Sequence, residues 1–213
     1  MSNKKQDKIF YKTEGDNYFD RNGPNVNKGI LKAIKFLKPK SNSSIFEIGC
    51  GCGSTLKKIN LFFKSKVFGI DTSKKAIDYA INKNNLKKML HTTFFNYKRK
   101  KKFDIIITGG FLYVTTDQDL KKTFKKIFKI MKKNSYLIVW DYDTPYNYTN
   151  KWKFDKNLKS YKRNLLKDIY NFNNNLYLVS KQLQLKDGSK IDTFNNKTNV
   201  DNVFAVMIFK KIK

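Results

Sequence analysis

Apolar residues in this chain follow two rhythms. Runs at 44–49, 89–95, 103–108 and 136–140, with a further run ending at Asp71, have the length and continuity of strands buried on both faces. Between them the spacing becomes helical. Val26, Ile30, Ala33, Ile34 and Leu37 predict an opening helix that Pro39 stops, and Ser54 starts a second one. Ser73 is placed to cap a helix carrying Ala76, Ile77 and Ala80. From Asp117 a longer helix turns Leu120, Phe124, Ile127, Phe128 and Met131 inward and Lys121, Lys122, Lys125 and Lys129 to water. Residues 176–185 and 203–209 read as a closing strand pair, with a turn at 186–189. The alternation predicts one α/β domain over residues 1–213: a seven-stranded, mostly parallel sheet with helices on both faces and an antiparallel terminal strand. Residues 1–40 form an N-terminal cap and the opening helix, with the first fifteen or so mobile and 15–25 rich in turn formers. Residues 141–170 are polar and aromatic, too long for a mere connection, and are expected to form a lid or a substrate-binding insertion.

The first strand runs into Gly49, Gly51 and Gly53, a loop in which the backbone can turn sharply and approach a ligand that side chains would block. Its spacing is G-x-G-x-G, whereas dinucleotide sites use G-x-G-x-x-G with a pyrophosphate on the helix N-terminus. Glu47, at the mouth of the strand, would repel a pyrophosphate but can pair with an ammonium group. Asp71 follows Gly49 by about twenty residues, at a second strand end where a carboxylate accepts hydrogen bonds from ribose hydroxyls. The unit resembles the S-adenosylmethionine site of a Rossmann-like, class I methyltransferase. That resemblance implies S-adenosylmethionine as cofactor, S-adenosylhomocysteine as product and no metal. It assigns cofactor binding to Glu47, Gly49, Cys50, Gly51, Gly53, Asp71, Thr72 and Gly109, with Asn96 accepting from the adenine amino group through its amide oxygen.

Composition changes this picture little. Lys and Arg total 45 against 17 Asp and Glu, a formal net charge of +28, yet Arg21, Arg99 and Arg163 are the only arginines. The lysines are spread along the chain beside abundant Asn, Ile and Phe, as AT-rich coding produces, and the field attracts anionic ligands either way. No apolar stretch approaches the roughly 20 residues that span a bilayer. The N-terminus lacks the apolar run of a signal peptide, so a cytoplasmic protein without a membrane partner is expected. Cys50 and Cys52 are one residue apart, unsuited to an ordinary disulfide and too few for zinc, and read as small loop fillers. His91, in or beside the third strand, reads as structural.

A narrower resemblance rests on Gly15-Asp16-Asn17-Tyr18 with Arg21-Asn22, on Thr108-Gly109-Gly110-Phe111-Leu112, and on Pro145-Tyr146 followed by Leu158 and Lys162-Arg163. These pieces resemble the methylases associated with pseudaminic acid biosynthesis, although Asn164 stands where that family has an acidic residue. The resemblance implies methylation on oxygen or nitrogen of a small, anionic sugar or nucleotide sugar. Tyr18, Arg21, Tyr146, Lys162 and Arg163 would then bind the acceptor; the bland alternative puts Lys162 and Arg163 on the exposed face of a lid helix.

A sulfonium is an activated methyl donor, so the protein's task is in-line positioning of a nucleophile, with a general base where the acceptor is a hydroxyl or a protonated amine. Base candidates are Asp141, Asp143, Tyr113 and Asp16; the two aspartates after the fifth strand can equally be caps. An RNA methyltransferase is the competing reading, drawing on the charge and on Tyr146, Tyr148 and Trp152 as base-stacking platforms. Asp143-Thr144-Pro145-Tyr146 resembles the motif of base-amine methylases but falls after the wrong strand. A non-catalytic partner protein is the third reading, and the intact glycine loop argues against it.

Overall fold

The computed structural model describes residues 6–98, 100–172, 175–185, 188–191 and 199–212. Arg99 and Lys186 of the sequence reading, and the first five residues, lie outside them. Three helices lead in, α1 (Gln6–Thr13), α2 (Gly15–Asn22) and α3 (Lys28–Leu37). The alternating part follows as β1 (Ser44–Ile48), α4 (Ser54–Phe63), β2 (Lys66–Asp71), α5 (Lys74–Asn82), β3 (Met89–His91), β4 (Phe103–Gly109), α6 (Asp117–Ile130) and β5 (Met131–Tyr142). A hairpin of β6 (Tyr148–Lys151) and β7 (Lys159–Lys162), helix α7 (Leu165–Phe172) and strands β8 (Leu176–Leu185) and β9 (Val203–Lys211) complete the chain.

Seven strands form one sheet in the order β3-β2-β1-β4-β5-β9-β8, parallel except at β9 and its neighbours. The order reverses at β1, whose residues are all buried. There Ile45 pairs with both Val67 and Ile105. Side chains alternate across the sheet and divide the core in two. Phe46 and Ile48 face a layer with α6 and α7, where Phe46 stacks on Phe103 at 4.7 Å. Ile45 and Ile107 face Ile30 and Ile34 of α3, Leu56 and Ile59 of α4, and Ile77 of α5. This is the expected seven-stranded class I architecture.

Four expectations need correction. Residues 6–13, expected to be mobile, are helical, and buried Gln6 ties them down by donating to Lys159 O at 2.6 Å and to Val114 O at 2.8 Å. The turn-rich stretch after them is α2, stapled by Asn17 and Asn22 donating back to carbonyls and by an ion pair of Arg21 with buried Glu14. The third strand stops at His91 because Thr93 folds the chain into a turn, receiving the amides of Asn96 on its hydroxyl and Tyr97 on its carbonyl. The 141–170 insertion is two things. Helix α7 packs into the core through Leu165 and Ile169, while the β6–β7 hairpin braces α1 and α2: Trp152 Nε1 donates to Glu14 at 2.9 Å and Thr13 to Asp155 at 2.8 Å.

Candidate functional site

At the carboxyl edge of the parallel strands, beneath α1 and α2, lies a cavity of about 570 Å³, within the size range of small-molecule sites. The glycine loop forms its floor. Gly49 and Gly51 have φ of +73° and +52°, and a Cβ on Gly51 would project into open space, so the bare backbone borders the cavity. Gly53 turns the other way: a Cβ there would stand 2.6 Å from Leu86 Cδ1, so it packs the loop against the protein and does not line the cavity. Cys50 and Cys52 are free and buried, filling the loop as small apolar side chains.

Glu47 is buried at the strand end, and Gly109 opposite leaves it room, since a Cβ there would lie 3.0 Å from Oε1. Its Oε2 has no hydrogen-bond partner. Burial first, and the negative charge of Asp71 second, push the carboxyl up to about 8. Asp71 is anchored from both sides, with Oδ2 accepting from the Gly51 amide at 2.7 Å and Oδ1 from the Ser73 amide at 2.8 Å. Burial nevertheless raises its pKa against those hydrogen bonds. The two carboxylates leave lone pairs for donors that the cavity would receive. Trp140 Nε1, also unpartnered, is on the same cavity wall.

The structure brings together Glu47, Gly49, Cys50, Gly51, Asp71, Thr72, Gly109, Tyr18 and Tyr113 of the sequence-predicted set. It separates the others. Asn96 borders a different, shallower depression, and Thr92 to Phe95 line the cavity in its stead. Asp16 caps α5, accepting from Ser73 Oγ at 2.8 Å and the Lys75 amide at 3.0 Å. Asp143 accepts the Leu165 amide and pairs with Lys181 at 2.5 Å. Asp141 is buried and pushed up to about 6 by that burial, against the amides of Tyr142, Leu112 and Tyr113 that it accepts. It positions the 3-10 turn Leu112–Val114 and does not itself line the cavity. Tyr113 therefore reaches the cavity on a turn that Asp141 holds.

The acceptor residues expected from the narrower resemblance fare worst. Arg21 pairs with Glu14 and lies over the Phe154 ring at 3.9 Å, and Tyr146 is exposed. Lys162 donates to Asp201 O at 3.2 Å. Arg163 is buried, with Nε and Nη2 donating to Asp117, Nη1 to Leu112 O at 3.2 Å and Nη2 to Thr115 O at 2.7 Å. None of these, and no residue of 141–170, lines the cavity. Sequence reasoning missed Gln6, Phe10 and Asn22 on the overlying helices, and Thr116, Asp119 and Gln184. The only usable signal was the aromatic pairing potential of Phe10, Tyr18 and Trp152, whose rings cluster within 6.4 Å centroid to centroid.

Residues 39–202 match the model of a methyltransferase domain family. The chain belongs to that methyltransferase family. It is 25% identical over 158 residues to phosphoethanolamine N-methyltransferase of Plasmodium falciparum, covering 72% of this chain and 57% of that protein, so the chain spans little more than half the relative's length. Among solved structures it is similar to Burkholderia thailandensis 1,6-didemethyltoxoflavin-N1-methyltransferase with bound 1,6-didemethyltoxoflavin and S-adenosylhomocysteine, at a TM-score of 0.70, 10% identity, and coverage of 96% and 85% of the two chains. It is also similar to the N-methyltransferase NodS of Bradyrhizobium japonicum in complex with S-adenosylhomocysteine, at 0.65, 14% identity and 97% of each chain. Both share the methyltransferase fold. The family match starts after α3, so the helices that roof this methyltransferase's cavity lie ahead of the matched region.

Proposed function

We propose that this protein transfers the methyl group of S-adenosylmethionine to nitrogen, or to oxygen, of a small acceptor held beneath α1 and α2. The observation that carries the reading is the unpartnered Oε2 of buried Glu47 at the head of the glycine loop, a buried acid whose carboxylate form a cation would stabilise. The residues fit the cofactor: Glu47 for the ammonium, the bare backbone of Gly49 and Gly51 for close approach, Asp71 with Thr72 for the ribose, and Thr93 to Phe95 around the base. When bound, S-adenosylmethionine would supply a methyl group activated by its sulfonium, leaving S-adenosylhomocysteine. The protein's residues orient the acceptor and exclude water from the space under the helices.

The cavity's charge supports an amine. In a chain with a formal net charge of +28, the lining outside Glu47 and Asp71, which the cofactor would engage, carries Asp7 and Asp119 against Lys28 alone. Such a wall repels an acidic sugar, and the basic residues first assigned to an anion are engaged elsewhere in the fold. The relationship to an N-methyltransferase at 25% identity agrees with nitrogen. The RNA reading loses two of its three platforms, because Trp152 stacks inwardly on Tyr113 at 5.7 Å and Tyr148 donates to Asp201 at 2.6 Å, leaving Tyr146 alone exposed.

Incubation with methyl-labelled cofactor and a panel of small amines, acidic sugars, nucleotide sugars and RNA tests the reading. Label is expected on an amine. Label on an acidic sugar or RNA would overturn the acceptor class, and absence of cofactor binding by calorimetry would overturn the activity itself.

A further inference from the structure

The opposite edge of the sheet gathers charge of one sign. Strands β1, β2 and β4 begin there, and the C-terminal ends of α3 and α4 arrive beside them, linked by the Asn42 amide donating to Lys64 O at 3.1 Å. Between Gly23 and Ile70 the chain is rich in lysine and has one carboxylate, Glu47, which is buried at the cavity. Further along the edge, Lys88 and Lys101 converge on one ring, lying 4.9 and 4.0 Å from the centroid of Phe68. Lys101 has its pKa lowered by burial and then by repulsion from Lys88, Lys66 and Lys132. Asp104, the carboxylate whose charge acts on Lys101, is already held by Ser44 and by Lys132 at 2.9 Å. Among the described residues, Lys64, Lys66, Lys88 and Lys101 form no ion pair.

Apolar surface lies beside them. Phe36 at the end of α3 and Leu61 and Phe62 at the end of α4 are 60%, 66% and 63% exposed, and the Lys35 ammonium lies 5.8 Å from the Phe62 ring. Large exposed apolar side chains set among lysines are the composition of a surface that enters a lipid headgroup region.

We propose that this edge docks on an anionic lipid bilayer, with Phe36, Leu61 and Phe62 entering the headgroup layer and the neighbouring lysines meeting the lipid charges. The charge complementarity is direct, since anionic lipid attracts each nearby lysine. A nucleic acid would satisfy the lysines as well, but it leaves Leu61, which has no ring to stack, beside phosphates. A bilayer takes both features. No described helix is long and apolar enough to cross a membrane, so the association is peripheral. The cavity lies at the far edge of the sheet, so docking leaves it open to a water-borne acceptor.

Co-sedimentation of the full chain with phosphatidylcholine vesicles, with and without phosphatidylserine, tests this. Binding is expected only with phosphatidylserine, and the double variant Phe36→Ser/Phe62→Ser should lose at least about tenfold in affinity. Charge reversal in Lys64→Glu/Lys66→Glu should cost as much or more, at roughly fivefold per lysine removed. All four side chains lie outside the cavity, and unchanged melting and cofactor binding confirm intact folding. Equal binding to both vesicle types overturns the proposal. So does undiminished binding by the serine variant, or tighter binding to a polyuridine probe than to vesicles, either of which marks a general polyanion surface.

Discussion

Tyr113, on the turn after β4, and Tyr18, on helix α2, meet on the cavity wall, where their phenols interact with each other. The Tyr113 amide is held by Asp141 at 3.3 Å and its ring is stacked on Trp152, so the pair is fixed from both ends. Burial raises both phenols, which stay protonated at neutral pH and act as hydrogen-bonding groups, not bases. We propose that the Tyr18 hydroxyl, which faces the cavity, hydrogen-bonds the acceptor. Tyr18→Phe is therefore expected to lower kcat/KM for the acceptor by about tenfold, the loss of one positioned hydrogen bond. Cofactor affinity by calorimetry should change by less than about twofold. Unchanged kcat/KM would remove Tyr18 from the acceptor site.

Glu47 gives a proton-linked signature. Its carboxyl is raised to about 8 in the free protein, so at pH 7 it is mostly protonated. Pairing with the ammonium of the methyl donor favours the carboxylate, so binding must expel the proton. Titrations at pH 7 in buffers of different ionisation enthalpy should show release of roughly one proton per cofactor bound, offset by the small uptake needed to protonate an α-amino group whose pKa is near 7.7. Glu47→Gln should abolish the release and weaken binding. The folding sign is opposite to that of a stabilising carboxylate. Because the folded pKa lies above the model value of 4.5, the folded state binds more protons and stability falls as pH rises from about 4.5 to about 8. Glu47→Gln should flatten that slope in a melting-temperature profile.

Asp71 has one role in the fold and, we propose, a second toward the cofactor's ribose, and two variants test them. Its oxygens anchor the Gly51 and Ser73 amides, and they retain lone pairs for a ribose. Asp71→Ala leaves both amides without their acceptor, so cofactor affinity should fall by about a hundredfold and the melting temperature by several degrees. Asp71→Asn retains one acceptor oxygen and should fall between the two in both measurements. Cofactor affinity unaltered in Asp71→Ala would sink the assignment of the ribose to this strand end.

The contrast between the glycine loop and the acceptor side shows what sequence can carry. Ser44–Ile48, the loop and Lys66–Asp71 were legible because each obeys a local rule: a continuous apolar run, positive φ at glycine, a carboxylate at a strand end. Helix α2 was not, because GDNYFDRN has poor helix propensity and owes its form to the buried Glu14, which Arg21 and Trp152 both engage. The partners are 7 and 138 residues from Glu14. Asn96 was misplaced because the strand ends at His91 and the turn at Thr93 keeps Phe94 and Phe95 on the cavity while carrying Asn96 away from it. Lys162 and Arg163 read as ligands for an anion because no local rule says that a basic pair will be buried.

Arg163 supplies the clearest test of that last error. Its guanidinium spans Asp117 and the carbonyls of Leu112 and Thr115, tying the start of α6 to the turn that bears Tyr113. Removing it in Arg163→Ala leaves the Thr115 carbonyl without its buried donor, at about 1–3 kcal/mol, while the Leu112 carbonyl keeps the Thr115 amide. The melting temperature should fall by several degrees, and kcat should fall as Tyr113 loosens, with little change in KM for the acceptor. Arg163→Lys keeps the charge but cannot fork between two carbonyls and a carboxylate, so it should rescue only part of the stability. An acceptor-binding arginine gives the reverse pattern, a raised KM with the melting temperature unchanged. Asn96→Ala is the control from the other misassigned position. It borders a separate depression, so activity should be unaltered and stability should change by no more than about 0.5 kcal/mol.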